Sequence, residues 1–424
     1  MDLIKTSVLT SLSTAVKIAA AFVINKVIAL YIGPSGLALT GQFMNFVSIV
    51  LGFSNGGINS GIVKYVAEYR EDPEKKAKIL STSLAMSLLC SLGLTVFILA
   101  FHRSLALHLL KSAEYTSIFI IFGITLVIFS VNSSLVSILN GYKEISKFVA
   151  LNITASIIGL FITLILVCLF KLYGSLLAIV VSQTLIFFVT IFFITRSEWF
   201  KLSNFTRGFD RASLLNLSKF SLMALLSAAT VPTAQIIIRN YIADHISMDA
   251  AGYWQGVWKI SEIYLLVVTT SLSVYYLPRL SELLGKEALR KEIFSGYKIL
   301  LPMVLAMAIM IYLFREFIVI ILFTREFMPM ADLFTFQLTG DVLKIASWLL
   351  SFLMVAKAMT KLYVITELCF ISSFVIFSIL FLNRYGLIGV TYAYALNYLL
   401  YLIAMIYFFR DIVFCPTKTD SAPL

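Results

Sequence analysis

Twelve apolar runs, each about as long as a helix needs to cross a bilayer, follow one another along the chain with short polar breaks between them. A crossing takes roughly 20 apolar residues, because in hydrocarbon each backbone N–H and C=O must find its partner within the segment itself. Read against the breaks, the runs predict helices near 3–31, 37–62, 79–101, 115–140, 146–170, 174–195, 214–243, 251–277, 294–323, 331–357, 361–382 and 386–409. Turn residues stand where the runs stop: Gly33-Pro34-Ser35-Gly36, Asp72-Pro73 and Tyr385-Gly386. Composition agrees, since 60% hydrophobic against 13% charged residues is more apolar surface than a water-soluble fold can bury. The fold class is an all-α polytopic membrane protein of about twelve transmembrane helices.

A net charge of +11 in a soluble protein would point to nucleic acid. Here the basic residues cluster at 64–78, 196–219 and 279–298, all on one predicted side, as the positive-inside rule requires of cytoplasmic loops. Both termini are then cytoplasmic, nucleic acid is not a partner, and the clusters serve topology and contact with anionic lipid. The first run carries Lys5, Lys17 and Lys26 and lacks a small-residue cleavage pattern, so it reads as an uncleaved helix. Cys90, Cys168 and Cys369 fall in apolar runs and Cys415 in the tail, which offers neither a disulfide framework nor metal-ligand spacing.

The chain divides into two six-helix lobes, 1–195 and 214–410, with a cytoplasmic linker 196–213 and a tail 411–424. One interval separates Lys26 from Gln42 and Arg239 from Gln255, each basic residue closing the first helix of its lobe. Six crossings being an even number, both lobes enter from the cytoplasm, and a substrate is expected at mid-membrane in a cavity between them.

Charged residues inside the runs identify what such a cavity would hold. Lys17 lies midway along the first helix, about 21 Å from either end at 1.5 Å per residue. Its amine cannot reach the interface easily, and at a helix centre it costs on the order of 3 kcal/mol unless it faces a partner or water. Lys26 and Arg239 lie about one turn from their helix ends and can snorkel. Lys259 with Glu262, and Asp341 with Lys344, each share a helix face, while Glu367 has no obvious local partner. Lys17, Lys26, Arg239, Lys259 and Lys344 thus outnumber Glu262, Asp341 and Glu367, a surplus suited to an anionic substrate such as a pyrophosphate. Gln42, Asn45, Asn59, Gln235 and Gln255 offer hydrogen bonds to sugar hydroxyls, although such residues more often bond to a neighbouring helix. Pro232 and the glycines between 52 and 61 supply bend points.

Six segments carry a likeness to a known family: Gly33-Pro34-Ser35-Gly36-Leu37, Lys64-Tyr65-Val66-Ala67-Glu68-Tyr69, Ser218-Lys219-Phe220-Ser221-Leu222-Met223-Ala224-Leu225, Trp254-Gln255-Gly256, Ser273-Val274-Tyr275-Tyr276-Leu277-Pro278 and Gly340-Asp341-Val342-Leu343-Lys344. In these the chain resembles the Wzx-type flippases of lipid-linked oligosaccharides, within the multidrug/oligosaccharidyl-lipid/polysaccharide exporter superfamily. The likeness is to the enterobacterial members for O-antigen and enterobacterial common antigen units. The resemblance implies two lobes around a central cationic cavity and alternating access. It further implies an undecaprenyl-pyrophosphate-linked glycan as cargo, carried from the cytoplasmic to the periplasmic leaflet of the inner membrane. On that likeness Lys17, Lys26, Arg239 and Lys259 are the pyrophosphate ligands, and Lys344 joins the polar residues that face the glycan. Polysaccharide polymerase and chain-length proteins are expected partners.

Two other functions fit a polytopic chain. Cation efflux within the same superfamily favours cavity carboxylates, and the first two helices offer only Lys. A membrane glycan polymerase would be expected to need a substantial periplasmic segment, and here those connections are short; His102 and His108, read as solvated loop residues, are the nearby general-base candidates. No enzyme activity and no cofactor or metal is expected. A sodium or proton gradient could drive the cycle, with Glu262, Asp341 and Glu367 as the titratable candidates.

Overall fold

The structure, a computed structural model, describes residues 3–69, 71–218 and 221–414, with backbone only at residues 3–8 and Val274. Lys219, Phe220, Cys415 and the tail beyond it lie outside the described residues, as does the Lys5 side chain. Every described element is helical: α1 Leu3–Ser54, α2 Asn59–Glu68, α3 Pro73–Leu110, α4 Thr116–Gly141, α5 Ile145–Ile194, α6 Arg211–Ser218, α7 Ser221–His245, α8 Met248–Ser271, α9 Leu277–Glu282, α10 Lys286–Leu313, α11 Arg315–Leu322, α12 Phe334–Ala356, α13 Thr360–Tyr385 and α14 Gly389–Phe408, besides short 3-10, π and terminal turns. Eight described stretches are long and apolar enough to cross a membrane. Three of these, Leu9–Ser54, Ile145–Ile194 and Thr360–Phe408, are each long enough for two crossings. With α8, which carries Asp249, Lys259 and Glu262, the count reaches twelve, and the chain is a multi-pass membrane protein.

The double-length helices break where the sequence marks them. In α1 the break is Gly33, at φ 73° and ψ −169°, followed by Pro34, whose ring cannot continue a hydrogen-bonded helix. In α5 it is Lys171, a non-glycine held at φ 50°. Other boundaries differ from the sequence reading. The run 37–62 is interrupted after Ser54, where Gly56 and Gly57 take positive φ and a separate helix begins at Asn59. The third helix begins at Pro73, capped by the Asp72 carboxylate accepting from the Lys75 N–H at 3.0 Å. That bond holds the Asp72 carboxyl below its ordinary value. The same helix runs on to Leu110, so His102 and His108 lie on its last turns, not in a loop as expected; each ring Nδ1 meets a carbonyl of its own helix, Leu99 at 2.6 Å and Ser104 at 2.8 Å. The run 251–277 ends in a π-turn, Leu272–Tyr276, and 294–323 breaks at Phe314.

The chain forms two compact units, one ending at Ile236 and one beginning at Ile237, so the division falls inside α7 close to Pro232. In the first unit α1 packs along α5 and α3 along α4, around a core of Phe43, Phe119, Phe122 and Leu126. The ring of Phe43 meets those of Phe119 and Phe122 edge-on at 5.5 and 6.0 Å. In the second unit α12 packs on α14 and α10, with Leu272, Tyr276, Leu349, Leu353 and Met405 at the centre.

The turn after Ser54 rests on close approach as well as backbone freedom. A Cβ on Gly57, whose φ is +68°, would stand 2.8 Å from the Ser221 carbonyl oxygen and 2.9 Å from Leu225. Gly57→Ala is therefore expected to destabilise the folded protein by about 1–3 kcal/mol. Gly93→Ala, with nothing within 4 Å of the added methyl, is expected to be neutral or stabilising by up to about 1 kcal/mol. Thermal denaturation in detergent distinguishes the two, and equal midpoints would remove Gly57 from the account.

Candidate functional site

The second unit holds a buried polar cluster built on one stripe of α12. Gln337, Asp341, Lys344 and Trp348 recur at helical spacing, so their side chains leave the helix on one side. Asp341 is 0% exposed, and three hydroxyls from two other helices donate to its carboxylate. Ser261 and Tyr264 of α8 reach Oδ2 at 2.6 and 2.9 Å, and Tyr394 of α14 reaches Oδ1 at 2.9 Å. The Gln337 amide in turn donates to Ser261 at 3.3 Å, which leaves the Ser261 proton for Asp341. A buried carboxylate survives in an apolar interior when its lone pairs are met in this way.

Lys344 is treated differently. Its ammonium sits among aromatic rings, 4.9 Å from the centroid of Trp348, 5.7 Å from Tyr398 and 5.8 Å from Trp258. Asp341, Glu262 and Glu367 act on it electrostatically. At the edge of the cluster Lys259 pairs with Glu262 at 3.2 Å, and Glu262 also accepts from Trp258 Nε1 at 3.0 Å. Arg239, 2% exposed, lies over the Trp254 ring and donates to Gln255. The shared interval noted in the sequence thus corresponds, in this unit, to a direct hydrogen bond. Glu367 is half-buried and engaged within its surroundings.

In the first unit the polar candidates make hydrogen bonds within the unit. Asn45 donates to Gln235 at 2.6 Å, Gln42 to the Ile236 carbonyl at 3.4 Å and Asn59 to Ser133 at 3.0 Å. Lys26 is half-buried and already engaged. Lys17 stands apart: it is exposed on α1, as are Leu12, Val23 and Leu30 of the same helix, and among the described residues it has no hydrogen bond or ion pair. Among the described residues no group of His, Cys, Asp or Glu could hold a metal.

Of the predicted site residues, the structure brings Lys259, Glu262, Asp341 and Lys344 into one cluster and joins Arg239 to Gln255. Sequence reasoning missed Ser261, Tyr264, Tyr394 and Gln337 around Asp341, and the rings around Lys344. The stripe 337-341-344-348 was a usable signal; the hydroxyls on α8 and α14 carried none, since pairing across helices leaves no local pattern.

The profile of the polysaccharide biosynthesis protein family matches residues 3–284. The chain is 31% identical over 402 residues to the lipid III flippase of Escherichia coli (strain K12), covering 95% of this chain and 96% of that one, with the same figures for the lipid III flippase of Shigella flexneri. Among solved structures, an inward-facing multidrug resistance MATE family transporter of the MOP superfamily superposes with a TM-score of 0.79 at 15% identity, over 95% of this chain and 96% of that one. The lipid II flippase MurJ, in an inward closed conformation, gives 0.74 at 17% identity, over 96% and 90%. These structural likenesses establish the fold.

Asp341→Leu would strand three buried hydroxyl donors, each at about 1–3 kcal/mol. Its thermal midpoint is expected to fall well below that of Asp341→Asn, which keeps an acceptor oxygen. Denaturation of both variants in detergent checks this, and equal midpoints would show that the hydroxyls do not depend on the carboxylate.

Proposed function

The chain belongs to the polysaccharide biosynthesis protein family, and from that premise we propose that it is a flippase moving a lipid-linked oligosaccharide across the bacterial inner membrane. The cargo is an undecaprenyl-pyrophosphate carrying an O-antigen or related repeat unit, turned from the cytoplasmic to the periplasmic leaflet. Support comes from relatives named as flippases over nearly their whole length and, physically, from Lys17. An ammonium at the middle of a membrane helix, exposed and with no hydrogen bond or ion pair among the described residues, is open to an anionic ligand. A pyrophosphate supplies the missing charge.

In this reading Lys17, Lys26, Arg239 and Lys259 are the ligands of the pyrophosphate in an alternating-access cycle. Arg239 is covered in the present conformation, its guanidinium held by Gln255, so it joins the set only when α7 and α8 part. Gln42 and Asn45 tie α1 to α7, Asn59 ties α2 to α4, and Gln255 ties α8 to α7. Glu262, Asp341 and Glu367 are the titratable groups through which a proton or sodium gradient drives the cycle. Both termini face the cytoplasm, and a polysaccharide polymerase with its chain-length protein takes the delivered unit.

The work is transport and not covalent chemistry. His102 and His108, turned back on their own helix, are not poised as bases. Efflux of cationic drugs conflicts with an unmatched ammonium at mid-membrane.

Cells lacking the gene are expected to accumulate single repeat units on the lipid carrier at the cytoplasmic face, whereas a missing polymerase would leave single units displayed outside. Lys17→Ala and Arg239→Ala are expected to lower surface glycan while protein levels stay normal. A full complement of surface glycan in both strains defeats the pyrophosphate assignment. Phosphatase fusions active at residue 246 and silent at residue 205 would support the orientation, and the reverse would overturn it.

A further inference from the structure

Resting on the flippase reading, we propose that the aromatic cage around Lys344 is the subsite that recognises a sugar residue of the cargo. Trp258, Trp348 and Tyr398 hold the ammonium at 4.9 to 5.8 Å from their ring centroids. Ring faces stabilise the charge without occupying its N–H bonds. Among the described residues Lys344 has no hydrogen-bond acceptor and no carboxylate at pairing distance. Asp341, one turn away on the same helix, accepts instead from Ser261, Tyr264 and Tyr394. Three donors are therefore fixed in place and unused.

The local charge decides what fills them. Lys344 and Lys259 are set against Asp341 and Glu262 beside them and Glu367 on α13, and Arg239 on α7 brings the two signs only to balance. Around Lys344 itself Asp341, Glu262 and Glu367 leave no positive surplus for a pyrophosphate, whose ligands are cations outside the cage. A neutral, oxygen-rich ring does gain. Its C–H face lies on Trp348 and Tyr398, both partly exposed, its oxygens accept from Lys344, and its hydroxyls donate to Glu262, which is exposed. The pyrophosphate and the glycan are thus read by different groups, the glycan by the cage around Lys344 and the pyrophosphate by cations outside it.

The test measures binding to the purified full chain in nanodiscs, by quenching of tryptophan fluorescence. One probe is the glycan-bearing lipid extracted from cells deleted for this gene; the other is undecaprenyl pyrophosphate alone. The wild-type protein is expected to prefer the glycan-bearing lipid by about tenfold. Trp348→Leu, which leaves every charge in place, and Lys344→Met are each expected to reduce that preference to within about twofold while affinity for the bare carrier is unchanged. Retention of the wild-type preference in Trp348→Leu overturns the cage, as does a wild-type protein that binds both lipids equally, and in either case the flippase reading stands. A wild-type protein that binds neither lipid refutes the flippase reading and the cage with it.

Discussion

A charge in hydrocarbon must be answered, and the arrangement of this protein follows from how each one is. Insertion of a single central Lys or Asp costs on the order of 3 kcal/mol, and leaving one member of a buried pair unmatched costs roughly 3–5 kcal/mol. The second unit meets that constraint in three ways. Hydroxyl donors surround Asp341, aromatic faces surround Lys344, and Lys259 closes on Glu262. The first two draw on α8 and α14 alike, so the same contacts that answer the charges of α12 also fix these three helices against one another. Among the described residues of the first unit Lys17 is treated otherwise, with no hydrogen bond or ion pair to its ammonium.

The number and order of the helices were legible because membrane crossings are written as composition over about 20 residues, a signal that survives local ambiguity. Breaks at Gly33 and Gly386 were legible for the same reason that turns are legible anywhere, since few residues adopt those backbone angles. The interruption at Gly56 and Gly57 was present in the sequence but was read as a bend, because two glycines in an apolar run do not say whether the helix curves or stops. His102 and His108 were placed in a loop because polarity was taken as the end of the helix, whereas a helix can extend past the hydrocarbon into water with its cap further on, here at Lys111. The surplus of cations was read as lining one cavity; in the second unit each charge has surroundings of its own, rings about Lys344, Gln255 beside Arg239 and Glu262 beside Lys259. Asp341 is met by Ser261, Tyr264 and Tyr394, which in sequence look like any other polar residues of membrane helices.

A division of labour follows. Where charge is balanced and aromatic rings are at hand, the chemistry suits the uncharged, hydroxyl-rich part of a cargo; where a lone ammonium is exposed, it suits the doubly anionic part. A cargo that combines a pyrophosphate with a glycan presents both, and a carrier that must release it on the far side has reason to keep each contact modest and to distribute them.

The central claim is that Lys17 serves the cargo and not the fold. The most direct measurement reconstitutes the wild-type protein and Lys17→Gln into liposomes containing undecaprenyl-pyrophosphate-linked glycan and follows, with a membrane-impermeant probe of the sugar, how fast the glycan changes leaflet. The account predicts rapid exchange with the wild-type protein and exchange slowed by at least about tenfold with Lys17→Gln, at an unchanged thermal midpoint. Equal rates for the two proteins, or a midpoint lowered along with the rate, would contradict it.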